Sequence, residues 1–167
     1  PSQEHEAAAA VDIPADIPDG LLPENPRHFK TPNYGMKTFA ELFTPRQLTS
    51  LTTFSDIVAE TRQKVFADAI EAGLPEGASL ESGGKQANAY ADAVATYLGL
   101  AVSRFTNFQV SLCQWRPDAG KEQVGHLFVR QAIPMTWDFA EANPFSNSAG
   151  GWEPCFRFLP KVLDNLR

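Results

Sequence analysis

The residues best suited to chemistry lie between Gln131 and Ser146, where Trp137, Phe139 and Phe145 stand among Asp138, Glu141 and Asn143 in a short, Pro-bounded stretch. Aromatic rings that stack, beside amides that hydrogen-bond, are the groups with which proteins hold an extruded nucleobase or a cofactor ring. The same composition also makes a buried aromatic corner in which Asp138 or Asn143 caps local backbone. By itself the sequence favours that structural use.

Other chemistries find fewer residues. His5, His28 and His126 are far apart and lack metal-ligand spacing, and Cys113 and Cys155 have no Cys-x-x-Cys partner, so a zinc site is not expected. Ser82-Gly83-Gly84-Lys85 holds a lysine but not the spacing of a phosphate-binding loop, and reads as a flexible turn. No nucleophile–base pair or acid–base pair stands out, and no catalytic residue is assigned.

The elements that must position these groups read as mainly α: a long antiparallel helical hairpin plus shorter helices, with an extended Pro-rich N-terminal arm. Over residues 1–35, Pro14, Pro18, Pro23, Pro26 and Pro32 recur too closely for a helix or an interior strand, although Ala7–Ala10 could make an uncapped helical turn. This arm is expected to lie across a partner surface or to stay mobile, leaving residues 36–167 as the helical domain. Thr44-Pro45-Arg46-Gln47 opens the first long helix as a capping box with Pro at the first position. Leu48, Leu51, Ser55, Val58, Val65 and Ala69 keep one face, and Gly73 before Leu74-Pro75 closes it, which predicts a helix over Pro45–Ala72.

A second stripe, Tyr90, Val94, Tyr97, Ala101, Phe105, Phe108, Leu112 and Trp115, alternates spacings of four and three. It predicts a helix over Gln86–Arg116, about 45 Å long, with Gly99 marking a close helix crossing. The only charges from Gln86 to Trp115 are Asp92 and Arg104. So sparsely charged a face is expected to be covered by other protein or by a ligand. Beyond Gly120, Val124–Arg130 fits a short strand or helical turn. Pro134 could start a short helix through Ala140, and Trp152–Leu166 reads as helical with a kink or new start at Pro160.

Composition narrows the function classes. The formal net charge is −6, with seven acids against three bases in residues 1–43 and thirteen against eleven in the rest. That is no basic footprint of the kind independent nucleic-acid binders carry. No run approaches the roughly 18 apolar residues of a membrane span. Two cysteines in an otherwise Cys-poor chain fit a reducing cytoplasm better than a disulfide framework. A first residue of Pro1 and a last segment, 158–167, that stops within an apolar-periodic run are expected of a piece of a larger protein.

Several blocks carry a family resemblance: Asn33-Tyr34-Gly35-Met36, Phe43-Thr44-Pro45-Arg46-Gln47-Leu48, Leu51-Thr52-Thr53-Phe54-Ser55-Asp56, and Arg130 through Phe145 around Trp137. Together, over roughly Gly20–Leu166, they resemble an internal region of large adenine-specific DNA methylases that carry a domain of unknown function near the N-terminus. In that family the methyl-donor loop lies upstream of this region and the catalytic Asp-Pro-Pro-Tyr downstream. The resemblance therefore implies a helical insertion between the halves of a Rossmann-like methyltransferase. S-adenosylmethionine would be bound by the parent and not by this segment. Asn143-Pro144-Phe145 lacks the second proline of the catalytic motif and is not assigned to it.

Two roles are expected on these grounds. One is an accessory segment of an N6-adenine DNA methyltransferase-like protein, bracing its catalytic domain or lining its DNA cleft. Arg104, Asn107, Gln114, Arg116, Arg130, Gln131, Trp137, Asn143 and Phe145 are then the candidate contacts to DNA or to the catalytic core. The other is a structural helical module for protein–protein contact, able to self-associate and with no nucleic-acid role.

Overall fold

A computed structural model describes residues 2–25, 27–118 and 120–165. Helices are its main regular structure: α1 (Gln3–Ala9), α2 (Pro45–Glu71), α3 (Ala87–Thr106), α4 (Trp152–Phe156) and α5 (Phe158–Asn165). Two 3-10 turns, Thr31–Tyr34 and Ala40–Leu42, precede α2, and one hairpin of β1 (Trp115–Asp118) and β2 (Lys121–Val124) follows α3.

The first long helix forms for the reasons its sequence states. The Thr44 hydroxyl accepts from Gln47 N–H at 3.3 Å and the Gln47 side chain accepts from Thr44 N–H at 2.9 Å, closing a capping box. At the other end Gly73 takes φ +90°, and the N–H groups of Gly73 and Leu74 donate to the carbonyls of Ile70 and Ala69. A left-handed residue is needed there to turn the chain back onto the last carbonyls, and glycine adopts it without Cβ strain.

From there the chain returns as α3, antiparallel to α2. Arg62 of α2 donates to Asp92 of α3 at 2.8 Å near the hairpin's closed end, and Phe54 meets Phe105 edge-on at 5.1 Å near its open end. Four of the five buried residues of α3 are alanines (Ala87, Ala89, Ala91, Ala101), with Phe105 the fifth. Such small side chains bring little apolar area to the interface, so the aromatic end carries more of the packing. There Trp152 of α4 stacks on Phe54 at 4.6 Å and on Phe156 at 6.3 Å.

The structure corrects the second helix in extent. It ends at Thr106, ten residues before Arg116, and Trp115 and Arg116 belong to β1. The stripe of Phe108, Leu112 and Trp115 keeps helical spacing, but Gln109, Val110, Ser111, Leu112 and Cys113 are all buried in succession. Five consecutive buried residues cannot sit on one face of a helix; the chain instead turns into the main core. That core gathers Leu22, Leu42, Val110, Leu112, Cys113, Val124, Leu127 and Ile133. Gly99 marks no close crossing either, since a Cβ there would meet nothing within 4 Å.

Three further expectations change. The first residues do form a capped helix: Ser2 and His5 complete a capping box at the start of α1. The Pro-rich segment beyond it covers the chain's own core: Leu22 N–H donates to Lys37 O at 2.8 Å, Phe39 N–H to Gly20 O at 2.9 Å, and Leu22 is buried. Pro26 lies outside the described residues. No helix follows Pro134. Its neighbours' donors are taken by distant segments instead, Ile133 N–H by His28 O at 2.9 Å, the Thr136 hydroxyl by Leu112 O at 3.1 Å and Ala140 N–H by Cys113 O at 2.8 Å.

After β2, residues 125–130 run as a loop, so of the short strand or helical turn expected over Val124–Arg130 only Val124, the last residue of β2, is regular. The C-terminal run is helical with a break at Arg157, which caps α4. Pro160 falls in the first turn of α5, where a missing N–H breaks no helical bond. Leu166 lies outside the described residues.

Candidate functional site

The end of α3 and the loop after β2 border a groove of about 580 Å³. Asn107 builds it. As the C-cap of α3 it sits where the helix stops, and its backbone carbonyl accepts from Leu127 N–H at 2.9 Å while its side-chain oxygen accepts from Phe128 N–H at 3.0 Å. These two bonds pin the 127–133 loop beside the helix. Phe39, Leu100, Val110, Phe128 and Ile133 supply apolar walls, and Ser103, Arg104 and Asn107 the polar groups. Leu100 and Phe128 remain 57% and 54% exposed, large apolar side chains that this chain leaves uncovered.

Arg104 belongs to two surfaces. Its guanidinium carbon lies 3.9 Å from the centre of the Phe158 ring of α5, a stacked cation–π contact. It also lines the groove; burial raises the Cys155 thiol's pKa, and the positive charge of Arg104 partly offsets that push. Arg130 and Gln131 are exposed in the loop between the groove residues Phe128 and Ile133, and neither lines the groove.

Gln114 and Arg116 go elsewhere. They border a small cleft of about 80 Å³ with Gly125, Pro134, Met135 and Thr136. The Arg116 side chain lies across Gly125, where an added Cβ would stand 2.6 Å from its Nε. Trp137 follows this cleft in sequence, 75% exposed, with its ring edge-on to Tyr34 at 5.1 Å. The aromatic stretch is thus no buried corner: Phe139 is also exposed and Phe145 is 86% exposed.

Asn143 does serve local backbone. Its side-chain oxygen accepts from Phe145 N–H at 2.9 Å and its carbonyl accepts from Ser146 N–H at 3.1 Å. The nine sequence-derived candidates therefore divide into the groove (Arg104, Asn107), the small cleft (Gln114, Arg116), the exposed loop residues Arg130 and Gln131, the exposed Trp137, and the turn of Asn143 and Phe145. Leu100 and Phe128 were missed as site residues, although Leu100 falls outside the apolar stripe predicted for the second helix and is left outward on α3, while Phe128 lies in a loop that no periodicity marks.

The polar face of α3 is covered in part by the chain itself. The Asn88 side chain donates to Gly77 O at 2.9 Å, and Asp92 accepts from Leu80 N–H at 2.9 Å as well as from Arg62. The Leu80 N–H and then Arg62 hold the Asp92 carboxyl below its ordinary range. Burial raises Glu141, but hydrogen bonds from Arg46 and Thr44 outweigh it and the net shift is downward. Both carboxylates are thereby structural clasps. Among the described residues no three His, Cys, Asp or Glu side chains gather as a metal-holding group, and none of the helices is long and apolar enough to cross a membrane.

No protein-family model matches this chain, and no curated protein or solved structure matches it either.

Proposed function

We propose that the chain is a non-catalytic accessory segment of a cytoplasmic, S-adenosylmethionine-dependent N6-adenine DNA methyltransferase-like protein, and that it braces the catalytic part through protein contact. The observation that carries the bracing role is uncovered apolar surface: Leu100 and Phe128 at the groove, and Trp137 and Phe145 exposed elsewhere on the chain. Large exposed apolar side chains gathered near a groove mark surfaces that other protein covers. The ordered sequence blocks around Trp137 support the methyltransferase parent. The methyl donor and the DNA would then be held by the parent's own catalytic part.

Lining of a DNA cleft is the less favoured form of this role. Arg104 is stacked on Phe158, Arg116 lies across Gly125, and the net charge is −6. A structural helical module unconnected with nucleic acid is the second reading, and the same acidic balance favours it.

The test is transfer of labelled methyl groups from S-adenosylmethionine to unmethylated duplex DNA by the protein expressed from its complete reading frame. Activity that falls when Leu100 and Phe128 are both changed to Asp, with DNA affinity retained, is the expected result. If that complete protein transfers no methyl group, or if the 167 residues alone bind the methyl donor, the proposal fails.

A further inference from the structure

We infer that residues 2–19 form a releasable arm, latched by Arg46, which closes over an apolar face of α2 and swings off it while the rest of the fold stays intact. The inference does not depend on the methyltransferase reading, because it concerns contacts within this chain.

The arm is held at few points. α1 buries none of its residues, and Val11 to Asp19 make no hydrogen bond among the described residues. Among those residues the arm's acids, Glu4, Glu6, Asp12, Asp16 and Asp19, also enter no ion pair. The one hydrogen bond from the body to the arm, among the described residues, runs from Arg46 Nη1 to Ala9 O at 2.9 Å. Glu141 fixes that guanidinium in turn, its carboxylate accepting at 2.9 and 2.7 Å. Beyond the arm, Gly20 O accepts from Phe39 N–H at 2.9 Å and the buried Leu22 donates to Lys37 O at 2.8 Å. Arg46 is thus the latch, and the Gly20–Leu22 anchor is the hinge.

The face beneath is apolar and loosely covered. Ile17 and Pro18 of the arm line a gap of about 360 Å³ together with Phe43, Leu48 and Leu51. Ile17 is half-buried there, while Asp16 and Pro18 stay exposed. Asp16 of the arm and Asp56 of α2 line the same gap, and no lysine or arginine does, so charge works against closure. Pro14 and Pro18 have fixed φ and no N–H to lose, which lets the segment move as one stiff piece. Few buried apolar contacts and no backbone bonds to the body place its opening far below the cost of global unfolding. Release bares Phe43, Leu48 and Leu51, which the closed arm conceals.

Thiol labelling of Thr52→Cys in the 167-residue chain tests this with a disulfide reagent near neutral pH. Thr52 lines the gap and is half-buried on α2. The native Cys113 and Cys155 are both buried and report unfolding of the whole chain in the same sample. Position 52 should label well before those two thiols. Adding Arg46→Gln should raise its rate about threefold or more, and Ile17→Asp, which removes the arm's apolar contact without touching the body, should raise it as well. The native thiols should keep their rates in both variants. Labelling at position 52 only in step with the native thiols overturns the inference, because the arm then leaves only on unfolding. So does a rate that either change leaves as it was, and so does a rise that Cys113 and Cys155 share.

Discussion

Gln109 shows how one buried amide can hold a loop that sequence patterning does not anticipate. It is 2% exposed, and its Nε2 donates to the carbonyls of Ala142 at 3.1 Å and Gly150 at 2.9 Å. Those bonds tie the turn after α3 to the segment that carries Asn143 and Phe145. Replacement by Leu leaves two buried carbonyls without a donor, at a cost of about 1–3 kcal/mol. Urea denaturation should show that loss as a lower midpoint with an unchanged slope.

The two thiols are also structural at this scale. Burial pushes Cys113 up to about 11, only slightly countered by its backbone contact to Val110, and raises Cys155 as well. Since the thiolate is the reacting species, both should label slowly with a disulfide reagent near neutral pH and rapidly once the chain is unfolded. Rapid labelling of the folded protein would contradict the packing around Cys113. A side chain capping local backbone was legible from residue type as Asp138 or Asn143, and the structure shows Asn143 in that part. The exposure of Trp137 and Phe145 was not, because an aromatic cluster looks the same in sequence whether it faces a core or a partner.

Helical elements were legible in proportion to how locally they are determined. For α2, the cap, the stripe and the stop signal all lie within the helix or next to it, and its ends fall within a residue of the expected ones. The length of α3 depends instead on what Val110, Leu112 and Cys113 meet across the core, and those partners come from Leu22, Leu42 and Ile133, remote in the chain. The same dependence explains why the Pro134 segment forms no helix, as its donors answer to His28, Leu112 and Cys113.

Two glycines of the hairpin give opposite predictions. Gly99 sits inside α3 with open space where a Cβ would be. Gly99→Ala should therefore stabilise by about 0.5–1 kcal/mol through helix propensity. Gly73 also has open space but holds φ +90°, so Gly73→Ala should destabilise by about 1 kcal/mol. Thermal unfolding of the two variants ought to shift in opposite directions. A rise for both would mean that the α2 terminus does not need its left-handed residue.

At the scale of the whole molecule, few regular elements pack on one another, and polar clasps join segments that are far apart in sequence. Arg46 meets Glu141 through two bonds of 2.9 and 2.7 Å and also donates to Ala9 O, so one side chain joins the end of α1, the start of α2 and the segment before α4. Arg62, Asp92 and Leu80 N–H do the same for the hairpin and its connecting loop. Glu41 accepts from the N–H groups of Thr38 and Lys37, which hold its pKa down, and so secures the approach to α2. In all three cases the folded state favours the ionised carboxylate. The stabilisation is therefore complete above the unfolded-state values, ordinarily 3.8 for the aspartate and 4.5 for the glutamates, and is lost as pH falls through the lower folded values. Melting temperature should be nearly flat down to about pH 5 and decline steeply below about pH 4. Asp92→Asn should lower it at neutral pH yet flatten the acid decline, because the variant has no proton to take up at that clasp. A decline equally steep in Asp92→Asn would place the acid sensitivity in other carboxylates and leave the hairpin held by its apolar contacts alone.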